Sequence, residues 1–158
     1  MPILYILCGV PGSGKSTWAN TFNYNDTRYV SRDEIRFNLV KNEEEYFSHE
    51  KEVFNKFVGT ITQTLVDGFS VIADATHLNM ASRRKLTYNI DKTFSDYKIV
   101  YVIFETDLDT CLTRNAARAG RANVPEDVIK SMYNSFRAPR PDEDKRMIGT
   151  ITIKGNII

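Results

Sequence analysis

The segment LYILCGVPGSGKSTWANTF, residues 4–22, decides how this chain folds. Residues 3–8 form a short apolar run, which is typical of a strand buried on both faces. Residues 9–16, GVPGSGKS, fit the pattern G-x-x-x-x-G-K-[ST] at every position. A helical pattern then begins near Lys15. This order predicts a buried strand, a loop that binds phosphate through its backbone N–H groups, and a helix whose positive end faces the same anion.

Each residue type in the loop has a chemical reason. Glycines permit backbone angles that side chains forbid, so the N–H groups can turn toward one point. Lys15 is expected to reach the β- and γ-phosphates, and the Ser16 hydroxyl is expected to hold Mg²⁺. The predicted ligand is a nucleoside triphosphate, ATP, with Mg²⁺. An ordinary Gly/Pro turn is the alternative, which the position between a strand and a helix disfavours. The loop residues expected to hold the nucleotide are Gly9, Pro11, Gly12, Ser13, Gly14, Lys15 and Ser16.

Length and composition limit the possible classes of protein. The 158 residues, 42% of them hydrophobic and 26% charged, predict a single domain over residues 1–158. The formal net charge of +1 neither favours nor excludes a nucleic-acid partner, so any basic site must be local. Cys8 and Cys111 are expected as core residues of a cytoplasmic protein rather than as a disulfide. No run is long enough for a membrane span, and the oligomeric state stays open.

Strands and helices alternate along the chain. Strands are predicted at 3–8, near 28–30, at 70–73, 98–104 and 150–153. Helices are predicted at 15–22, from Asp33, at 43–66 before a terminating Gly68, at 80–93 capped by Asn79, at 107–118, and from Pro125. This alternation predicts an α/β three-layer fold with a mostly parallel sheet covered on both sides. Ligands of such sheets bind beyond the carboxyl ends of the strands.

Polar residues follow the second and third predicted strands. Asp33 could accept a proton from an attacking hydroxyl, with Arg36 beside it on the helix surface; the alternative is a helix-capping aspartate with an ion partner. Asp74 stands where a carboxylate would hold Mg²⁺, or else caps a turn. Thr76 follows it and is expected to contact the substrate. His77, alone in a loop, is weak evidence for a catalytic base.

Two clusters of basic residues favour different interpretations. Arg114, Arg118 and Arg121 fall on one flank of a predicted helix without interleaved acids, which favours an anionic ligand and a lid over the triphosphate. A solvated basic helix end is the alternative. The second cluster, residues 83–85 with the sequence RRK, is interpreted as a solvated helix face.

Four segments together resemble the polynucleotide 5′-hydroxyl kinase family, over essentially the whole chain: GVPGSGKSTWA, SRDEIR, THLNMASRR and RNAARAGRANVPEDVIKSMY. The resemblance implies an adenylate-kinase-like P-loop fold with a tunnel for a single strand of DNA or RNA. It implies that Asp33 is the general base for the 5′-hydroxyl and that Arg36 binds the adjacent phosphate. It also implies that Thr17 joins Lys15 and Ser16 in holding ATP and Mg²⁺. Arg118, supported by Arg114, would contact the phosphates from a lid at about 107–136.

The sequence departs from the family pattern in two places. The family's aspartate before Thr-Asn falls at Ala75, with Asp74 one place earlier and His77 replacing the asparagine. A D-x-D-G-T stretch is absent, so 3′-phosphatase activity is not expected of this polypeptide. Two other functions stay open: a P-loop kinase of a small molecule or nucleotide sugar, and a module that binds or hydrolyses NTP without an acceptor. Arg36 beside Asp33 favours a phosphorylated acceptor.

Overall fold

The centre of the molecule is a sheet of five parallel strands. The computed structural model describes residues 1–22, 25–41, 44–118, 120 and 123–155. The strands are β1 (Ile3–Cys8), β2 (Thr27–Ser31), β3 (Ser70–Asp74), β4 (Lys98–Phe104) and β5 (Met147–Ile153). Their order is β2-β3-β1-β4-β5, and every adjacent pair is parallel. The predicted α/β class with a parallel sheet is confirmed, and the central strand leads directly into the phosphate loop.

Helices cover both faces of this sheet. They are α1 (Lys15–Asn20), α2 (Arg32–Leu39), α3 (Glu50–Val66), α4 (Met80–Asp91), α5 (Leu108–Ala116) and α6 (Glu126–Ser135). On one face, the apolar sides of α3 and α4 pack against Leu4 and Ile6 of β1. On the other, Trp18 and Ala19 of α1 pack against Leu7 and Phe104. The central strands are therefore buried on both sides, which explains their nearly continuous apolar sequences.

A smaller apolar cluster joins α5 and α6 to the phosphate loop. Cys111 and Ile129 are completely buried there against Val10, which is 4% exposed. Cys8 is buried in β1, and burial raises the pKa of its thiol to about 12. The interpretation of both cysteines as core residues is confirmed. This cluster packs α5 and α6 against the phosphate loop at the carboxyl end of the sheet.

Several predicted boundaries need correction. Helix α3 begins at Glu50, not at 43, and His49 binds the carboxylates of Glu44 and Glu52, which favours a turn before the helix. Pro125 is the residue before α6 rather than part of its first turn. β5 begins three residues before the predicted residue 150, and a register shift lies in β4 opposite its start.

Other predicted boundaries are confirmed by their caps. Asn79 caps α4 in a reciprocal capping box with Ser82, and Gly68 has a φ of 92° just after α3. In the described part of the chain, no helix combines the length and the apolar character that crossing a bilayer would require.

The prediction of a solvated basic face at residues 83–85 is wrong for Arg83. Its side chain is 1% exposed and forms a bidentate pair with Glu143, at 2.7 and 2.8 Å. The same guanidinium donates to the carbonyls of His77 and Arg137. Apolar packing of α4 on the sheet turns this position inward, and a carboxylate distant in sequence compensates the charge. The pair fastens the chain after α6 to the start of α4.

His77 joins the end of β1 to the loop after β3. Its Nδ1 lies 2.6 Å from the Leu7 carbonyl oxygen, and its backbone has a φ of 44°. Burial lowers the pKa of His77 to about 4, and the cations of Arg32 and Lys15 act in the same direction. Nδ1 therefore donates from a neutral ring. The positive φ is one that asparagine adopts more readily than most residues.

Removing one partner of the buried pair should destabilise the fold strongly. Arg83→Met leaves the Glu143 carboxylate buried without its counterion, which costs about 3–5 kcal/mol of unfolding free energy. The measurement is urea denaturation followed by circular dichroism. Arg84→Met, at the exposed neighbouring position, is the matched control and should change stability by less than about 0.5 kcal/mol. Equal stability of the two variants would contradict the structural role of Arg83.

His77 should make the protein less stable as the pH falls from 6.5 to about 4. In this window the unfolded chain takes up a proton at the imidazole, while the folded chain does not. The resulting loss of unfolding free energy approaches about 3 kcal/mol at the lower end of this pH range. His77→Asn, measured by urea denaturation at several pH values, should flatten this part of the profile. His49→Asn is the control, because Glu44 raises the pKa of His49 and its removal should not flatten it.

Candidate active site

A cleft of about 850 Å³ lies beyond the carboxyl ends of β1, β2 and β3. The phosphate loop forms one side, the start of α2 forms another, and α3 and α4 close the far side. This is the location that the strand order predicts for a ligand of a parallel sheet. Of the residues predicted for the site, those that line this cleft are Pro11, Gly12, Lys15, Ser16, Asp33, Arg36, Asp74, Thr76 and Arg118.

Close packing dictates the backbone of the phosphate loop. Gly12 and Gly14 have φ values of 82° and 102°, in the left-handed region that favours glycine. A Cβ on Gly12 would lie 2.5 Å from the carbonyl oxygen of Cys111, and a Cβ on Gly9 would lie 2.5 Å from the Ser13 Oγ. Residue 12 therefore requires glycine, because a Cβ there would meet backbone, whereas a Cβ on Gly9 would force the Ser13 side chain to move. Thr17 lies exposed on α1 and is not among the residues that line the cleft.

Lys15 directs its charge into the loop. Its Nζ donates to the carbonyl oxygens of Gly9 and Val10, both at 3.0 Å. Burial lowers the pKa of Lys15, whereas the carboxylates of Asp74 and Asp33 raise it. A buried ammonium beside the first glycines of the loop provides a positive charge where the pattern expects phosphate.

The backbone of the loop is held by hydrogen bonds to three residues outside it, of which the sequence did not single out Thr106. Thr106 donates its hydroxyl to the carbonyl of Ser13 at 2.7 Å, and the N–H of Gly9 donates to the carbonyl of Thr76 at 3.0 Å. Arg114 donates to the carbonyl of Gly155 at 2.5 Å and to that of Gly12 at 3.4 Å. Arg114 therefore lies against the outside of the loop.

Arg118 approaches the cleft beyond the end of α5. The helix stops at Ala116, and Arg118 lines the same cleft as Lys15. The side chain of Asn115 binds the backbone of Val124, since it accepts from the N–H of that residue at 2.9 Å and donates to its carbonyl at 2.6 Å. Arg121, the third arginine of the predicted lid, lies outside the described residues.

Asp33 and Arg36 form the start of a network on the acceptor side of the cleft. Arg36 Nη1 donates to Asp33 Oδ1, while Nε and Nη2 bind both oxygens of Glu50 at 2.8 and 2.6 Å. The Arg36 side chain is 8% exposed and that of Asp33 is 74% exposed. Helix α2 is capped by Ser31, whose Oγ accepts from the N–H of Glu34 at 3.2 Å. Asp33 therefore does not cap the helix, and its carboxylate faces the cleft.

Asp74 lies deeper, between the phosphate loop and Asp33. It is the last residue of β3, pairs in register with Ser31 of β2, and is 8% exposed. Tyr29 donates its hydroxyl to Asp74 Oδ2 at 2.5 Å. Burial raises the pKa of Asp74, and the nearby Lys15 lowers it. The carboxylate and the Ser16 hydroxyl line one cleft.

Four contributors were missed by sequence reasoning: Glu50, Tyr29, Thr106 and Asn115. Glu50 lies 14 residues from its partner Arg36, a separation that no local pattern encodes. Tyr29 was visible as a strand residue, but its pairing with Asp74 depends on β2 lying beside β3. Only Thr106 carried a usable signal, as a polar residue shortly after the fourth strand.

Comparison with known proteins gives two relatives with different acceptors. The chain is 30% identical over 148 residues to an L-seryl-tRNA(Sec) kinase of Methanococcus maripaludis, covering 87% of this chain and 53% of that protein. It is 24% identical over 152 residues to a bifunctional polynucleotide kinase/RNA ligase of Autographa californica nuclear polyhedrosis virus, covering 84% of this chain and 20% of that protein. The chain thus spans about half of the first relative and a fifth of the second.

Solved structures share the fold at low sequence identity. The Pnkp1/Rnl/Hen1 RNA repair complex contains a chain that matches with a TM-score of 0.71, at 23% identity over 85% of this chain and 43% of that one. A sugar kinase of Janibacter matches with a TM-score of 0.67, at 16% identity over 98% and 86%. Kti12 of Chaetomium thermophilum, in complex with ADP-AlF3, matches with a TM-score of 0.69, at 14% identity over 96% and 88%.

The family comparison agrees with the geometry of the phosphate loop. A family model described as an AAA domain matches residues 4–139, which is most of the chain. The fold implies ATP binding. The chain therefore belongs to this AAA domain family, and its fold is that of P-loop kinases.

Proposed function

We propose that this protein is an ATP-dependent polynucleotide 5′-hydroxyl kinase, which transfers the γ-phosphate to the 5′-hydroxyl of DNA or RNA. The observation that carries the proposal is the Asp33–Arg36–Glu50 network in the acceptor side of the cleft. A carboxylate facing the phosphate loop suits an attacking hydroxyl. A buried arginine bound to it suits an acceptor that already bears a phosphate.

The donor side is assigned to ATP. In this proposal Lys15 stabilises the transferring phosphoryl group, Arg118 adds positive charge from the opposite side, and Thr17 adds a hydroxyl near the loop. Arg114 acts indirectly, by holding the backbone of the loop at Gly12.

The residues at this site fit Mg²⁺. Asp74 and Ser16 provide a carboxylate and a hydroxyl in one cleft, and magnesium is commonly held by one or two protein oxygens together with substrate phosphates. Across the described ranges no group of three or more His, Cys, Asp or Glu residues forms a cage for a metal. When bound, Mg²⁺ would neutralise charge on the β- and γ-phosphates.

The proposed chemical step needs only the groups of the cleft. Asp33 accepts the proton of the 5′-hydroxyl as that oxygen attacks the γ-phosphorus. The bond between the γ-phosphorus and the oxygen of the β-phosphate breaks, and ADP leaves. Exposure of the Asp33 side chain to the cleft gives the acceptor hydroxyl access to its carboxylate.

Arg36 retains donors for an acceptor phosphate. A guanidinium has five N–H donors, and the structure assigns three of these to Glu50 and Asp33. Two donors remain without a partner among the described residues, one on each terminal nitrogen. We assign them to the phosphate on the 3′ side of the attacking nucleotide, with Thr76 lining the same substrate space.

The acceptor side also has an aromatic wall. The Arg36 Cζ lies 5.0 Å from the ring centroid of Phe47 and 5.5 Å from that of Tyr46, and the two rings meet edge to face at 5.1 Å. Phe37 is 53% exposed and lines the same space. Aromatic rings interleaved with cations are typical of surfaces that bind single-stranded nucleic acid.

A second candidate is supported by the archaeal relative. That protein is an L-seryl-tRNA(Sec) kinase, so its acceptor is a hydroxyl on an aminoacyl group carried by RNA. A small-molecule kinase shares the donor side and has structural neighbours, including the Janibacter sugar kinase. These alternatives differ from the proposal only in the acceptor. An NTP-binding module without an acceptor would transfer to water alone.

The first prediction about the proposed reaction concerns Asp33. Asp33→Asn should keep the affinity for ATP but lower the transfer rate by about 10²–10⁴-fold, because asparagine cannot accept the proton. Transfer of labelled γ-phosphate to a 5′-hydroxyl oligonucleotide measures the rate, and titration with a fluorescent ATP analogue measures binding.

Stability provides the control for this variant. Ser31, not Asp33, caps α2, so the urea midpoint should stay close to the wild-type value. Normal turnover in Asp33→Asn would exclude Asp33 as the base.

The second prediction concerns the acceptor. As an acceptor, a nucleoside 3′-monophosphate should have a kcat/KM about 10- to 150-fold higher than that of the bare nucleoside. This ratio corresponds to a charge-assisted contact of about 1.5–3 kcal/mol. Arg36→Ala should reduce this ratio toward one and leave the KM for ATP nearly unchanged.

The same assay distinguishes the candidate functions. Seryl-tRNA and gluconate, which represents the small-molecule acceptors, are tested beside the nucleoside, its 3′-monophosphate and an acceptor-free reaction. Equal rates on the nucleoside and its 3′-monophosphate would contradict the polynucleotide assignment. Transfer to seryl-tRNA or gluconate alone would replace it with the corresponding alternative.

A further inference from the structure

We propose a second phosphate site in the acceptor side of the cleft, formed by Arg32 and Lys85, which both contact the ring of Phe54, for the next backbone phosphate of a polynucleotide. This site rests on the proposed function, since it extends the acceptor strand beyond the nucleotide held at Asp33 and Arg36. It determines whether the enzyme prefers a strand to a mononucleotide.

Three helices converge to form this site. Arg32 is the first residue of α2, Phe54 lies on α3, and Lys85 lies on α4. The Lys85 Nζ is 4.5 Å from the centre of the Phe54 ring, and the Arg32 Cζ is 5.4 Å from it. All three side chains line the same cleft as Asp33. One ring thus brings together two cations from separate helices.

The site is continuous with the first phosphate position. Glu50 Oε1 accepts from Arg36 Nη2 at 2.6 Å and lies 3.6 Å from Arg32 Nη2. A row of side chains therefore runs from Asp33 through Arg36 and Arg32 to Lys85. The three cations of this row lie beside the carboxylates of Asp33 and Glu50, and Glu34 lines the same cleft, so the succession of cations along one groove, not an excess of positive charge, favours a phosphate backbone. Basic groups that follow one another along a groove are the way proteins track a phosphate backbone.

Both cations have bonding capacity that the protein does not use. The Arg32 Nε is buried, and among the described residues it has no hydrogen-bond partner. Burial lowers the pKa of Arg32, which reflects incomplete compensation of its charge. Lys85 forms no ion pair within the described part of the chain, and its ammonium lies over the ring of Phe54. A phosphodiester oxygen would satisfy these donors.

Lys85 is the better residue to change, because in the described part of the chain its ammonium lies over Phe54 and forms no hydrogen bond or ion pair with Asp33, Arg36 or Glu50. Lys85→Ala removes the charge, and Lys85→Arg preserves it. Arg84→Ala is the matched control, since Arg84 is the neighbouring exposed cation of α4 but is not among the residues that line the cleft. Two acceptors isolate the second phosphate: a dinucleoside monophosphate, NpN, and the same dinucleotide with a 3′-phosphate, NpNp.

The experiment measures kcat/KM for NpN and NpNp with each variant at several salt concentrations. Wild type, Lys85→Arg and Arg84→Ala should prefer NpNp by about fivefold, the size of an exposed charge contact. Lys85→Ala should use both acceptors almost equally, and the slope of log(kcat/KM) against log[salt] for NpNp should fall by about one. Transfer to NpN itself should not change.

The possible failures are distinguishable. Equal use of NpN and NpNp by the wild type would overturn the second site and leave the proposed function intact. A preference for NpNp that persists in Lys85→Ala would show that the second phosphate binds elsewhere, and would also overturn it. Absence of transfer from ATP to either acceptor would overturn the proposed function and this site with it.

Discussion

The contact between Gly12 and the carbonyl of Cys111 is the constraint on which the site depends. A side chain at residue 12 would meet that carbonyl oxygen at 2.5 Å, so α5 lies directly against the phosphate loop. This approach brings Arg114 within hydrogen-bond distance of the loop backbone and directs the chain that carries Arg118 toward the cleft. A larger residue would displace α5 and with it both arginines. The glycines of the motif therefore organise the protein around the loop as well as the phosphate within it.

The sequence was sufficient to predict the fold because its strongest signals are local. The apolar run before the loop, the capping box at Asn79 and the glycine after α3 each determine a boundary within a few residues. The predicted start of α3 was wrong because side chains compete with helix formation there. His49, just before the helix, pairs with two glutamates. The prediction for Arg83 was wrong for a different reason. Its burial depends on Glu143, sixty residues away, and no local pattern reports such a partner.

The residues of the candidate site likewise fall into a set that the sequence predicts and a set that it does not. Residues of the phosphate loop follow from a motif that is contiguous in sequence, whereas the acceptor side is assembled from α2, α3 and α4. Asp33 and Arg36 could be selected because parallel strands end at one edge of the sheet. Glu50 and Phe54 could not, because their place depends on how α3 crosses that edge. Kinases with one donor site can thus differ in acceptor while sharing a fold, which agrees with the variety of the proteins that resemble this chain.

Arg36 links the two halves of the proposed reaction. In the structure its charge is shared between Glu50 and Asp33. When Asp33 accepts the hydroxyl proton, its negative charge is lost and its attraction for the guanidinium weakens. More of the Arg36 charge then acts on the acceptor phosphate, so that contact is stronger in the transition state than in the ground state. Interactions of this kind raise kcat rather than only lowering KM. A buried arginine between a base and a substrate phosphate thereby couples recognition of the acceptor to the chemical step.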